Sequence, residues 1–365
     1  MKVIPYTALK QFTNAVFLKM NCPVEDAEKA TDVLLAADLR GIDSHGIARL
    51  SSYVRLWKNG RINSTPDVHI VHETPSTAVV DGDSGLGLVV APKAMTVAME
   101  KAEQVGTGWV AVKNSNHFGI AGYHAMQALE HDMIGMAMTN ASPLVVPTFS
   151  KERMLGTNPI AVAFPAGKEP PFLADFATTT AAYGKLEIQQ RKAAPVPFGW
   201  VQDSEGKPSQ NSHALADGGG LLPLGSDREH GSHKGYCLGA MVDIFSAVLS
   251  GANYGPWVPP YVPFLEKQEE LVGDGIGHFF GALRIDAFRS KEEFKFNMDK
   301  WIHRFRNAKS VDAENAVQIP GDQEREYEKD RLVNGIPLFG PVLKDLTCLA
   351  DDFGIEPGWD KIPPA

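Results

Sequence analysis

Apolar and polar positions change period several times along the chain, and each change marks an element. Residues 7–40 carry a helical pattern in two stretches, Thr7 to about Met20 and Val24 to about Leu39, separated by Asn21-Cys22-Pro23. Ala30, Val33, Leu34 and Ala37 give the second stretch one apolar face, so the pair is a hairpin that must pack on something else. Pro23 before it and Gly41 after it follow the usual asymmetry of helix starts and stops. Ser44 then stands as the N-cap of a third helix, beginning at His45, running to about Lys58 and closed by Asn59-Gly60. On that helix His45 and Arg49 share a face in the first turns, with Tyr53 one turn further along.

From about residue 68 the period shortens. Strands are predicted at 68–71, 77–80, 109–112, 134–138, 160–164, 172–175 and 277–285, with helices at 88–104 and 122–130 between them. A segment rich in Gly, Pro, Ser and Asp, 192–228, reads as loop, and Gly231 to Tyr236 opens a long apolar helix through about Leu249. Helices return at about 290–307, 321–333 and 339–353. Alternating strands and helices give an α/β protein whose sheet carries helices on its faces. The terminal helices form a discontinuous unit, residues 1–70 with 288–365, around an α/β domain at 71–287.

Composition narrows the function classes. A formal net charge of −9 over 365 residues, without a Lys/Arg block, leaves nothing to attract nucleic acid or an anionic membrane surface. Cys22, Cys237 and Cys348 are far apart and odd in number, which suits reduced thiols. The start lacks an apolar leader, and no apolar run reaches the roughly 18 residues needed to span a bilayer. The expectation is a soluble, cytoplasmic protein.

Candidate chemistry centres on Asn114 to Gly122, which places His117 where a strand ends and a helix begins, the edge at which α/β proteins collect ligand sites. Oxidising a secondary alcohol needs a base as hydride leaves carbon, and histidine, with an ordinary pKa of about 6.5, serves both directions. His45 and His117 are the candidates, and Arg49 is the best-placed cation for a 2-hydroxy acid's carboxylate. The plainer readings are a capping histidine, a solvated arginine and a turn histidine. The dinucleotide fingerprint GxGxxG is absent, because Gly85-Leu86-Gly87 has Val90 where its third glycine belongs. Lys234 at a helix start is a candidate for phosphate, and Asp175 at a strand end for a ribose hydroxyl or a helix cap. The competing chemistry is a metal-assisted hydrolase using His117 and His124, but these are seven apart and no HExxH or paired Cys/His set accompanies them.

Six motifs occur in order: Ser44-His45-Gly46 with Arg49; Asn116-His117-Phe118-Gly119 with Ala121-Gly122; Thr139-Asn140 with Pro143; Gly156-Thr157-Asn158-Pro159; Asp175-Phe176-Ala177-Thr178; and His233-Lys234-Gly235-Tyr236. Together they resemble the malate/L-lactate dehydrogenase family, the non-Rossmann type that also includes ureidoglycolate, sulfolactate and diketogulonate enzymes, over nearly the whole chain. The resemblance implies a central mixed sheet and a homodimeric NAD- or NADP-dependent oxidoreductase of 2-hydroxy acids, malate/oxaloacetate ahead of lactate/pyruvate, with no metal. It implies that His45 or His117 carries the proton and that Ser44, Arg49 and Asn116 hold substrate. Asp175, Phe176, Ala177, His233, Lys234, Gly321, Asp322 and Gln323 would line the cofactor. Ala141 and Cys237 depart from the family pattern, as does the acidic insert Ser226–His230.

Overall fold

A computed structural model describes residues 1–265, 270–312 and 314–359. The chain opens with β1 (Lys2–Ile4), α1 (Tyr6–Lys19) and α2 (Val24–Leu39), then a 3-10 turn at Ile47–Arg49 that runs into α3 (Leu50–Lys58). The helix expected from His45 therefore starts later. Ser44 caps nothing; its hydroxyl lies 2.8 Å from His45 Nδ1, and the Ile47 N–H donates instead to the buried Asp38 carboxylate at 2.6 Å. A cap supplied from nine residues upstream leaves 44–46 in a turn, with the His45 N–H donating to Ile42 O at 3.0 Å, and frees His45 from helical geometry.

The central block follows as β2 (His69–Glu73), β3 (Thr77–Asp81), α4 (Gly87–Val105), β4 (Thr107–Ser115), α5 (Ala121–Met126), β5 (Met133–Thr139), β6 (Ile160–Phe164), β7 (Phe172–Phe176) and α6 (Tyr183–Arg191). The expected loop after it holds three two-residue strands, β8 (Val201–Gln202), β9 (Pro208–Ser209) and β10 (Gly220–Leu221), which form their own small sheet. Next come α7 (Ser232–Asp243), extended by a π-helical turn to Val248, and β11 (Ile276–Arg284). The chain ends with α8 (Lys291–Arg306), α9 (Asp322–Asn334), β12 (Ile336–Leu338) and α10 (Gly340–Phe353).

Seven strands form one mixed sheet in the order β2-β3-β4-β11-β5-β6-β7, in which only β3 and β4 run parallel. β11, last in sequence, lies between β4 and β5 and is buried along most of its length, which explains its unbroken apolar run Ile276 to Leu283 apart from His278. Met95 and Ala98 of α4 pack with Val110, Val112 and Phe280 of the sheet. A second apolar core joins both ends of the chain, with Phe12, Phe17, Tyr53, Leu346 and Leu349 in one cluster and Phe12 edge-on to Trp359 at 4.8 Å. β1 pairs with β12, and α9 docks on the end of α2 through Arg331 with Asp38 O and Asp43, and through Glu328 with Arg40. The segment 38–49, which carries Ser44, His45 and Arg49, is thereby held against the sheet's β4–α5 edge. Among the described residues no helix is long and apolar enough to cross a membrane.

Candidate active site

β4 delivers the His117 loop, and the residue before the histidine fixes it. The Asn116 amide donates to the carbonyls of Ser84 at 2.9 Å and Gly85 at 3.0 Å, while its oxygen accepts from Arg61 Nε at 3.0 Å. With its hydrogen bonds spent on scaffold, buried Asn116 supports the His117 loop and is not among the residues lining the cavity beside it. Gly87 lets the start of α4 lie against this loop, because a Cβ there would stand 2.5 Å from the His117 carbonyl oxygen.

His117 and His45 face each other, rings stacked at 5.8 Å and 22°. The Tyr53 hydroxyl lies 2.6 Å from His117 Nδ1, as Ser44 Oγ lies beside His45 Nδ1, so both imidazoles are oriented by hydroxyls and keep Nε2 without a partner among the described residues. Tyr261 stacks on the other side of His117 at 4.5 Å. Burial, then the Arg49 charge, pulls His45 down to about 4. Burial also holds His117 well below the ordinary histidine value, helped by His45, Arg49, His278 and Arg61. Both rings are thus neutral at neutral pH and available as proton acceptors. Arg49 donates through Nε to Ser44 O and through Nη2 to Glu187 of α6, each at 2.6 Å.

Three concavities join into one trench. An inner pouch of about 90 Å³ is lined by His45, Arg49, His117, Thr139, Asn140, Tyr183 and Tyr261, among others. It shares His45, Gly119, Thr157, Pro159 and Ala182 with a cleft of about 690 Å³ that continues past Ser44, Asp175, Phe176, Ala177 and Lys185. The cleft in turn shares Ile42, Asp175, Phe176 and Glu324 with a bay of about 390 Å³ that reaches Gly321 and Gln323. Asp175 accepts the Gly122 N–H at 2.8 Å, and burial raises it to about 6.

Most expected site residues meet in this trench, but Asn116, Asp322, His233 and Lys234 do not. Asp322 turns its carboxylate to Arg306, Arg325 and the Ile319 N–H. His233 and Lys234 line none of the three concavities; they sit on the first turn of α7, whose Gly235 packs against Leu224, a residue of the cleft wall. Lys185 of α6 is instead the one Lys or Arg among the residues lining the cleft. The metal-hydrolase alternative finds no support: among the described residues no three His, Cys, Asp or Glu side chains gather as metal ligands. Buried His124 donates from Nε2 to the Phe118 carbonyl, 2.8 Å away, with its ring tilted on that of Phe118, apart from the pouch. Because a carbonyl only accepts, its Nε2 bears the proton there and offers no lone pair. Tyr261, Glu187, Arg61 and Lys185 escaped the sequence reading, because they lie in segments with neither period nor motif.

The family model described as malate/L-lactate dehydrogenase matches residues 4–347. A malate dehydrogenase of Pyrococcus abyssi is 44% identical over 354 residues, 97% of this chain and 95% of that relative. An L-sulfolactate dehydrogenase of Methanocaldococcus jannaschii is 39% identical over 93% of this chain and 94% of its own length. The crystal structure of malate dehydrogenase from Entamoeba histolytica superposes with a TM-score of 0.90 at 35% identity, covering 97% of this chain and 99% of that one.

Proposed function

The chain belongs to the malate/L-lactate dehydrogenase family and is a hydroxy-acid dehydrogenase, and we propose that it interconverts malate and oxaloacetate with NAD or NADP as the hydride carrier. Malate is favoured over lactate by the relatives named malate dehydrogenase. The observation that carries the catalytic part is the pouch itself: two neutral imidazoles with unpartnered Nε2 beside one arginine, at the closed end of a long cleft.

A dinucleotide suits that cleft, because many of its lining residues are small, Gly41, Ser44, Gly119, Ala121, Ala177 and Ala181 among them, and its one lining Lys or Arg is Lys185. Asp175, Phe176, Ala177 and Lys185 would hold it, with Gly321 and Gln323 at the far end. When bound, the nicotinamide accepts or returns the hydride. Arg49 Nη1, which has no partner among the described residues, takes the substrate carboxylate, with Ser44 beside it. His117 Nε2 removes the hydroxyl proton during oxidation and returns it during reduction, and His45 lies alongside as the second imidazole. Tyr53 serves Nδ1 in both states, since its hydroxyl oxygen accepts from Nδ1–H whether Nε2 is bare or protonated.

The same reading takes residues 1–70 and 288–359 as one helical unit, on the strength of their shared apolar core. It also takes the protein as a homodimer, supported by the apolar outer face at the end of α7, where Ile244 and Leu249 are 55% and 57% exposed. A cytoplasmic location agrees with three unpaired cysteines. The test is an absorbance assay of oxaloacetate, pyruvate and other 2-keto acids with NADH and NADPH side by side. Oxaloacetate should turn over fastest; no oxidation of either nucleotide by any 2-keto acid would overturn the proposal.

A further inference from the structure

The reaction needs a guanidinium held still, and we infer that Glu187 of α6 is the positioning residue that fixes Arg49 for the substrate carboxylate. This rests on the reading of Arg49 as the carboxylate clamp. Glu187 Oε2 accepts from Arg49 Nη2 at 2.6 Å, and the two side chains are only 21% and 15% exposed. The pair forms because Gly184, one turn earlier, has no side chain: a Cβ there would overlap Ser44 Cβ and lie 3.2 Å from Arg49 Nη2. α6 can therefore lie directly on the segment carrying Ser44 and Arg49.

Position decides between support and competition. A carboxylate in the pouch would compete with substrate for Arg49, but Glu187 does not line the pouch. It lines, with Arg49, a neighbouring cavity of about 200 Å³ that meets the pouch at Arg49, Tyr183, Gly184, Tyr261 and Val262. Ser44 O holds Nε and Glu187 holds Nη2, which leaves Nη1 to the ligand. A planar fork gripped at two nitrogens retains little freedom, so less is lost when the third binds.

The test uses the intact enzyme with oxaloacetate as substrate and oxamate as a non-reacting 2-keto-acid mimic, whose binding to the NADH complex is read by NADH fluorescence. Glu187→Ala should raise KM for oxaloacetate and Kd for oxamate about tenfold, while kcat stays within about twofold and Kd for NADH is unchanged. Glu187→Gln should stay near wild type, because its amide oxygen still accepts from Nη2. Arg49→Lys should raise the same two constants, and adding Glu187→Ala to it should change them little further. The inference is overturned if Arg49→Lys raises both constants and Glu187→Ala alone leaves them unmoved. It is overturned equally if the two substitutions multiply, or if NADH binding weakens by the same factor, which marks a merely structural role. If Arg49→Lys itself leaves both constants unchanged, the clamp reading fails and takes this inference with it.

Discussion

The Tyr53 hydroxyl lies 2.6 Å from Nδ1 of His117, deep in the core that joins the two ends of the chain. A carboxylate in that place would stabilise the imidazolium and raise the histidine's pKa, whereas a neutral phenol orients the ring and leaves burial free to lower it. Tyr53→Phe keeps the packing and deletes the closer of the two groups at Nδ1, the other being the Gly119 N–H at 3.4 Å. Its kcat should fall about tenfold with KM for oxaloacetate nearly constant, a split that steady-state kinetics resolves. A change confined to KM would contradict the orienting role.

Replacing the imidazoles themselves separates chemistry from binding. His117→Ala should lower kcat by about a thousandfold and His45→Ala by a hundredfold or so, within the range for loss of proton transfer. Kd for NADH, measured by fluorescence, should change little in either, because the cleft extends well beyond the two rings. Near-wild-type rates in both variants would remove the histidines from the mechanism.

The trench was partly legible in the sequence because its motif residues sit where period changes. His117 follows a strand of apolar alternation, and β6 was expected at its observed limits, Ile160–Phe164. What stayed hidden arises from long-range contact. The late start at Ile47 depends on Asp38 reaching across nine residues. α6, mostly polar and with little amphipathic pattern, is held by Gly184 against Ser44 and by the Glu187–Arg49 pair, neither of which local propensity encodes. Lys234 looked like the phosphate ligand because it opens a helix, yet the packing of Gly235 on Leu224 leaves it outside the trench while Lys185 lines it.

That contrast gives a cofactor prediction. A dinucleotide brings two phosphate charges into a cleft whose one lining cation is Lys185. Lys185→Met should raise Kd for NADH about tenfold, and Lys234→Met should leave it within about twofold, both by fluorescence titration. The reverse order would restore the helix-start assignment.

Acid should both slow oxidation and unfold the protein, for related reasons. Oxidation needs unprotonated Nε2, and since His117 is held well below 6.5, the acid limb of kcat/KM for malate should lie below that value. Stability follows buried His124 and His278, which burial pulls to about 4 and about 3. Both are neutral in folded and unfolded chains above about 6.5. As pH falls from there toward 4, the unfolded chain takes up protons that the folded one refuses, so stability is lost across that window. Asp175, raised to about 6, has the opposite sign: its contribution is present below its unfolded value of 3.8 and lost as pH rises through 6. His45 and His117 are shifted the same way as the other two histidines, and Asp38 and Asp243 are raised like Asp175. The four buried histidines outweigh these three raised carboxyls, so Tm should decline between pH 6.5 and 5, and a flat Tm over that interval would contradict the balance.

Arg61 offers the sharpest test of how the site is assembled. Its guanidinium donates to Asn116 Oδ1 at 3.0 Å, Pro260 O at 2.6 Å and Pro259 O at 3.2 Å. One side chain thereby ties the residue before His117 to the segment that ends in Tyr261, the ring stacked on His117. Burial lowers its pKa to about 10, so it remains charged at neutral pH. Arg61→Leu leaves three acceptors without their donor and should cost about 3 kcal/mol, read as a lower urea midpoint. Because both walls around His117 lose their tie, kcat should fall at least as much as in Tyr53→Phe, while NADH, bound along the cleft, keeps its affinity. Arg61→Lys restores the charge but not the three-way fork, and should recover less than half of either loss. Full recovery by lysine would mean that charge alone holds the loop, and that the Asn116 and proline carbonyl contacts do not set the geometry of His117.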